Sequence, residues 1–145
     1  MPSSIAPHAH RVSRSPLRMV VRGWITLLLL LACSAAGAVT ETFSEARFKE
    51  LQAAAALILV DVHADWCPTC KQQGKALDAY EATHTEVKLY RLVVDFDTQK
   101  EWVKHFKAPR QSTLVLYRGS QQRWFSVAET RPEEIAKALN AAAVP

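Results

Sequence analysis

Hydrophobic and polar positions alternate along this chain in three distinct rhythms. Trp24–Ala32 (WITLLLLLA) is a nine-residue apolar run, followed by the small residues Ser34–Ala38 (SAAGA). Further on, two short runs rich in branched residues, Leu57–Val62 (LILVDV) and Val87–Asp95 (VKLYRLVVD), read as buried strands. Between and around them the spacing becomes helical. Ser44 is a candidate N-cap, and Phe43, Phe48, Leu51 and the alanine run Ala53–Ala56 predict a first helix. A second helix starts at the cysteines, from Cys67 to about Ala82, with Cys70, Leu77 and Tyr80 inward. Thr98–Phe106 predicts a short helix with Trp102, Val103 and Phe106 on one side. Thr113–Tyr117 and Arg123–Val127 predict a hairpin turning at Gly119-Ser120, with Gln121-Gln122-Arg123 as a solvated turn. Thr130-Arg131-Pro132-Glu133 reads as a capping box that opens a last helix with Ile135 and Leu139 inward. The order α-β-α-β-α-β-β-α implies an α/β layered sheet.

Charge separates the front of the chain from the rest. The formal net charge of +4 comes from residues 1–38, which hold Arg11, Arg14, Arg18 and Arg22 and no acid. From Val39 onward 14 basic residues balance 14 acidic ones. A nucleic-acid-binding domain needs its positive charge on the fold, so that class is disfavoured. A basic segment, a short apolar run and small residues are the order of a secretory signal, with Ala36-Gly37-Ala38 as its cleavage site. The apolar run falls short of the roughly 20 residues that span a bilayer, which favours a cleaved leader over an anchor. Leu30-Leu31-Ala32-Cys33 is close to a lipoprotein box, so Cys33 is either discarded with the leader, the preferred reading, or becomes a lipidated N-terminus. Either way the domain is expected outside the cytoplasm, in an oxidising compartment. Residues 39–145, 107 in all, are enough for one small domain.

The chemistry concentrates in Trp66-Cys67-Pro68-Thr69-Cys70-Lys71, at a strand-to-helix junction. A two-residue spacer in a first helical turn brings two sulfurs within disulfide reach. Free N–H groups and the positive end of the helix dipole favour a thiolate at Cys67. Cys70, one turn in, is placed to resolve a mixed disulfide. Zinc needs about four ligands, and Cys67, Cys70, His63, His84 and His105 include no second cysteine pair. A structural disulfide closing so short a ring would constrain little of the unfolded chain. Redox exchange is therefore the stronger reading. Asp61 interrupts an apolar strand, where a lone carboxylate is costly. It is expected to take and return the proton of Cys70, against the alternative that it faces solvent or pairs with Arg91. His63 either tunes the Cys67 thiolate or packs half-exposed.

Leu59-Val60-Asp61-Val62-His63-Ala64-Asp65-Trp66-Cys67-Pro68-Thr69-Cys70-Lys71 resembles the active-site segment of the thioredoxin superfamily, and the element order fits over residues 43–143. The resemblance implies a thioredoxin fold, an α/β arrangement with a central mixed sheet flanked by helices. It implies Cys67 as nucleophile, Cys70 as resolving thiol and Asp61 as the assisting acid. Trp66, Pro68 and Thr69 then tune the motif. Ala64-Asp65-Trp66-Cys67 is similar to secreted reductase domains such as the C-terminal domain of DsbD. The uncharged Thr69, where oxidases of the DsbA type carry histidine, favours a reducing or intermediate potential. Thioredoxins place a cis-proline before a strand that here reads Thr113-Leu114-Val115-Leu116-Tyr117; in this chain Ser112 stands there, expected with a trans bond because a non-proline cis bond costs about 3 kcal/mol. Gln111, Ser112 and Thr113 become the expected substrate-contacting residues. Pro109 fits the cis-proline position only with a local insertion. Lys75 stands where thioredoxins often have a helix-kinking proline, with Gly74 as a substitute source of flexibility.

The expected activity is an exported thiol–disulfide oxidoreductase that reduces disulfides in envelope proteins of a Gram-negative type of cell, with no organic cofactor. It would be regenerated by a membrane thiol reductant donor of the DsbD or CcdA type, and would meet the membrane only through its leader or a lipid anchor. The alternatives are a disulfide oxidase or isomerase, a module that holds Cu(I) between the two soft thiolates, and a chaperone-like fold with vestigial redox function.

Overall fold

The computed structural model of the protein describes residues 37–144. Residues 1–36 of the expected leader, with its lipoprotein box and Cys33, lie outside the described residues. No helix among the described residues is long and apolar enough to cross a membrane.

The chain forms β1 (Val39–Thr42), α1 (Glu45–Ala53), β2 (Leu57–His63), α2 (Pro68–Thr83), β3 (Leu89–Asp95), α3 (Lys100–His105), β4 (Thr113–Arg118), β5 (Gln121–Val127) and α4 (Pro132–Ala143). The five strands make one sheet in the order β1-β3-β2-β4-β5. β3 runs parallel to β1 and β2, whereas β4 is antiparallel to both β2 and β5. The sheet is therefore mixed, with helices on both faces, as expected.

Strand alternation sorts the core. Ile58, Val60 and Val62 of β2 and Leu92 and Val94 of β3 pack with Phe48 and Leu51 of α1 and Val103 and Phe106 of α3. Leu57 and Leu59 of β2 and Leu89 of β3 turn the other way, against Ala76, Leu77 and Tyr80 of α2 and Ile135 and Leu139 of α4. Asp61 and Arg91 continue this second row and are both buried.

Four local features differ from the expected pattern. β1 has no counterpart in it: Val39–Thr42 is mostly exposed and pairs only with β3 at the sheet's edge, so it carries little hydrophobic signal. The alanine run leaves the helix at Ala54. Ala55 has φ 52, Ala55 N–H reaches Gln52 O and Ala56 N–H reaches Leu51 O, both at 3.0 Å, a Schellman stop built on alanine. The Thr130 capping box does not form. Arg131 is the N-cap of α4 without a side-chain hydrogen bond, and Glu129 Oε1 instead accepts from the N–H groups of Thr130 and Arg131. Gln121-Gln122-Arg123 is the exposed start of β5, so the turn is only Gly119-Ser120. Gly119 has φ +57, and a Cβ there would stand 3.3 Å from Gln52 O, which fits glycine at this hairpin.

Candidate active site

β2 delivers the chain to the end of the sheet, where Ala64–Trp66 turn it into α2. Ser44 caps α1 by accepting from Arg47 N–H, and Cys67 does the same for α2: its Sγ accepts the Cys70 backbone N–H at 3.3 Å. Pro68 takes the first helical position, where a missing N–H costs nothing. Cys67 and Cys70 are free thiols, each 1% exposed. They form a small cluster with Ala64, and Phe96 from the turn after β3 packs against it.

Ser112 completes the site. No peptide bond among the described residues is cis, so the Ser112 bond is trans, as expected, and Pro109 is not a cis-proline. Ser112 sits just before β4 with φ 62, in the left-handed region. Its Oγ lies 3.2 Å from Cys67 Sγ and 3.1 Å from Cys70 Sγ. Its N–H donates to Val62 O at 2.8 Å, and its carbonyl accepts from Ala128 N–H at 2.8 Å and from Gln73 Nε2 at 3.1 Å. Sequence reasoning misses Gln73 as part of the site. Its only signal is a polar residue on the inward stripe of α2, between Cys70 and Leu77, and it is 0% exposed.

These contacts separate the two thiols. Burial pushes the Cys67 thiol up, but hydrogen bonds from the Ser112 hydroxyl and the Cys70 backbone outweigh it and bring the pKa down to about 7. Burial pushes the Cys70 thiol up, and its hydrogen bond to Ser112 only partly opposes that. The outer cysteine is thus the more acidic, the asymmetry that a nucleophile and a resolving thiol require.

The structure places the remaining expected site residues at varying distance from this chemistry. Asp61 is 1% exposed, and its Oδ2 accepts from Arg91 Nη2 at 2.8 Å and Nε at 3.0 Å. Its Oδ1 has no hydrogen-bond partner. Asp61 thus takes the basic partner weighed in the sequence, and no hydrogen bond among the described residues joins it to either sulfur. Arg91 also reaches Asp78 Oδ1 at 3.0 Å through Nη1. Trp66 is 60% exposed, and its indole N–H is fixed by Asp97 Oδ2 at 2.7 Å. His63 faces Asp65, with Nε2 3.5 Å from Oδ1, rather than the sulfurs. Pro68 is exposed, Thr69 is half-buried, and Gln111 is half-buried beside Ser112. Thr113 is buried and its hydroxyl donates to Arg110 O at 2.7 Å, which fixes the loop and leaves that hydroxyl engaged within the protein. Among the described residues, no three His, Cys, Asp or Glu side chains converge as a metal-ion site. His84 stacks on Tyr80 and His105 packs edge-on against Trp102.

Comparison with known proteins agrees with this geometry. The thioredoxin family profile matches residues 39–141. A solved thioredoxin-like protein, Trxlp from Edwardsiella tarda EIB202, is 42% identical, with 69% of this chain and 97% of that chain covered and a TM-score of 0.65. A point-mutant thioredoxin from Halobacterium salinarum is 16% identical over 79% of this chain and 99% of its own, with a TM-score of 0.63. The thioredoxin NaTrxh of Nicotiana alata is 21% identical over 72% of this chain and 91% of its own, with a TM-score of 0.60. At that identity the last two speak for the fold alone. No curated protein matches. By its family profile, its mixed five-stranded sheet and its similarity to the Edwardsiella protein, the chain belongs to the thioredoxin family.

Proposed function

We propose that the protein is a thiol–disulfide oxidoreductase working in the reducing direction on disulfides of exported proteins. The observation that carries this reading is the asymmetric cysteine pair, with Cys67 at the first turn of α2 brought down to about 7 and Cys70 behind it pushed up. Cys67 thiolate attacks a substrate disulfide and one substrate sulfur leaves. Cys70 then attacks Cys67 Sγ, the second substrate sulfur leaves, and the pair ends as a disulfide. Two electrons pass from the cysteine pair to the substrate.

The direction of flow is supported by the uncharged Pro68-Thr69 spacer, which adds no cation to stabilise a reduced pair. Export is supported by the basic segment, the short apolar run and Ala36-Gly37-Ala38. An exported reductase must be recharged from outside its own compartment's oxidising chemistry, so a membrane thiol reductant is the donor class proposed. Equilibration of the pair with glutathione buffers tests the direction. A potential near about −270 mV fits a reductase, whereas one near about −120 mV would make the protein an oxidant of its partners.

A further inference from the structure

Among the described residues, Ser112 is the side chain outside the cysteine pair that hydrogen-bonds to both sulfurs. Its hydroxyl, 3.2 Å from Cys67 Sγ and 3.1 Å from Cys70 Sγ, has one proton to give and lone pairs to receive. When Cys67 is a thiolate it can only accept, so the hydroxyl proton points to Cys67. The hydroxyl's lone pairs then face Cys70, which still has its proton. One small group therefore donates to the nucleophile and accepts from the resolving thiol at the same time.

The group is held for this. The Ser112 N–H is spent on Val62, and its carbonyl on Ala128 and Gln73. The residue is 0% exposed, so no solvent competes for its hydroxyl. A φ of 62 is uncommon for a residue with a Cβ and persists only where the surroundings over-determine it. The other candidate for handling the Cys70 proton, Asp61, has Oδ2 taken by two N–H groups of Arg91, and although its Oδ1 has no partner, neither oxygen hydrogen-bonds to a sulfur as Ser112 does.

We propose that Ser112 is a third catalytic residue of the cysteine pair: its hydroxyl holds the Cys67 thiolate and carries the Cys70 proton during resolution. This rests on the reading of the pair as a disulfide exchanger. In the mixed disulfide, the substrate sulfur is bonded to Cys67 Sγ, next to Ser112 Oγ. Cys70 Sγ gives its proton to Ser112 Oγ and attacks Cys67 Sγ. The Cys67–substrate S–S bond breaks and the Cys67–Cys70 S–S bond forms. The hydroxyl passes its own proton to the departing substrate sulfur, which leaves as a thiol. The serine is regenerated, the substrate is reduced, and the cysteine pair is oxidised.

The test uses the full chain and its Ser112→Gly and Ser112→Ala variants. Glycine suits the left-handed backbone, and alanine removes only the hydroxyl. Thiolate absorbance of the reduced protein against pH reads the first role without any substrate. Loss of a hydrogen bond to a charged sulfur should raise the Cys67 midpoint by about one pH unit in both variants. Release of glutathione from a Cys67–glutathione mixed disulfide reads the second role and should slow about tenfold in both. An unchanged midpoint overturns the thiolate-holding role, and an unchanged release rate overturns the proton transfer. Insulin reduction by the unaltered protein reads the exchange activity separately, so failure of that reading is not confused with failure of Ser112.

Discussion

The two faces of the sheet are built from the same strands and end differently. On the face under α1 and α3, β2 and β3 stay apolar to their ends, with Val62 and Val94 fully buried. That side is closed by aromatic rings: Phe43 meets Phe106 edge-on at 5.4 Å, and Phe48 meets Phe106 and Tyr117 at 5.4 and 5.3 Å. On the face under α2 and α4, the rows begin apolar at Leu57, Leu59 and Leu89 and turn polar at Asp61, Arg91 and Gln73. The first face can only stabilise. The second keeps an apolar row and adds a buried Asp61–Arg91 pair, while Gln73 ties α2 to the Ser112 carbonyl beside the sulfurs. This thioredoxin sheet thus carries an apolar core on both faces and adds buried polar anchors on only one of them.

The comparison can be broken on the apolar face first. Phe48→Ala should cost about 3–5 kcal/mol in denaturant unfolding and leave the Cys67 thiolate titration where it was. On the polar face, Arg91→Met should cost about 3 kcal/mol, because it strands a buried carboxylate. Adding Asp61→Leu to that variant should recover most of the loss, since apolar residues of similar volume replace buried ion pairs well. If Arg91→Met alone is harmless, the pair contributes nothing to the fold.

Acidity and access at the sulfurs can be probed in the same way. Alkylation of Cys67 by iodoacetamide should rise about tenfold per pH unit in acid and reach half its plateau near the thiolate pKa of about 7. Because the folded-state pKa lies below the ordinary 9.0, the thiolate stabilises the reduced protein fully above pH 9, and that stability fades as pH falls through about 7. Unfolding of the reduced protein against a Cys67→Ser variant should therefore diverge as pH rises from 7 to 9. Phe96→Ala, which uncovers the pair, should raise the alkylation plateau several-fold and move the midpoint down, because less burial then opposes the thiolate. Gly74→Ala should have the smallest effect, a gain of about 0.5–1 kcal/mol, since a Cβ there would meet Arg91 Nη2 at an ordinary 3.6 Å.

Much of this architecture is legible because it rests on local pattern. LILVDV announces a strand buried on both faces, and the W-C-x-x-C-K junction announces a helix start with its chemistry. What escapes the sequence depends on contacts distant in the chain. The alanine run cannot reveal its stop at Ala55, because the carbonyl of Ala56 is claimed by Gly119 N–H across the fold. β1 is strand-like only because β3 offers an edge. Resemblance places Ser112 beside the sulfurs, but its bridging position depends on a left-handed φ that no propensity of serine predicts. Arg91 is one candidate partner for Asp61 in the sequence, and only register makes it the partner: Asp61 pairs with Val93 on the neighbouring strand, so Arg91 lies two residues away on the same face.

The central claim is a division of labour between two thiols three residues apart. Cys70→Ser and Cys67→Ser variants, each incubated with a disulfide-bonded protein and separated without reductant, test it directly. Cys70→Ser should accumulate a covalent adduct through Cys67, and Cys67→Ser should form none. Equal trapping by both variants, or trapping by Cys67→Ser alone, would contradict the account.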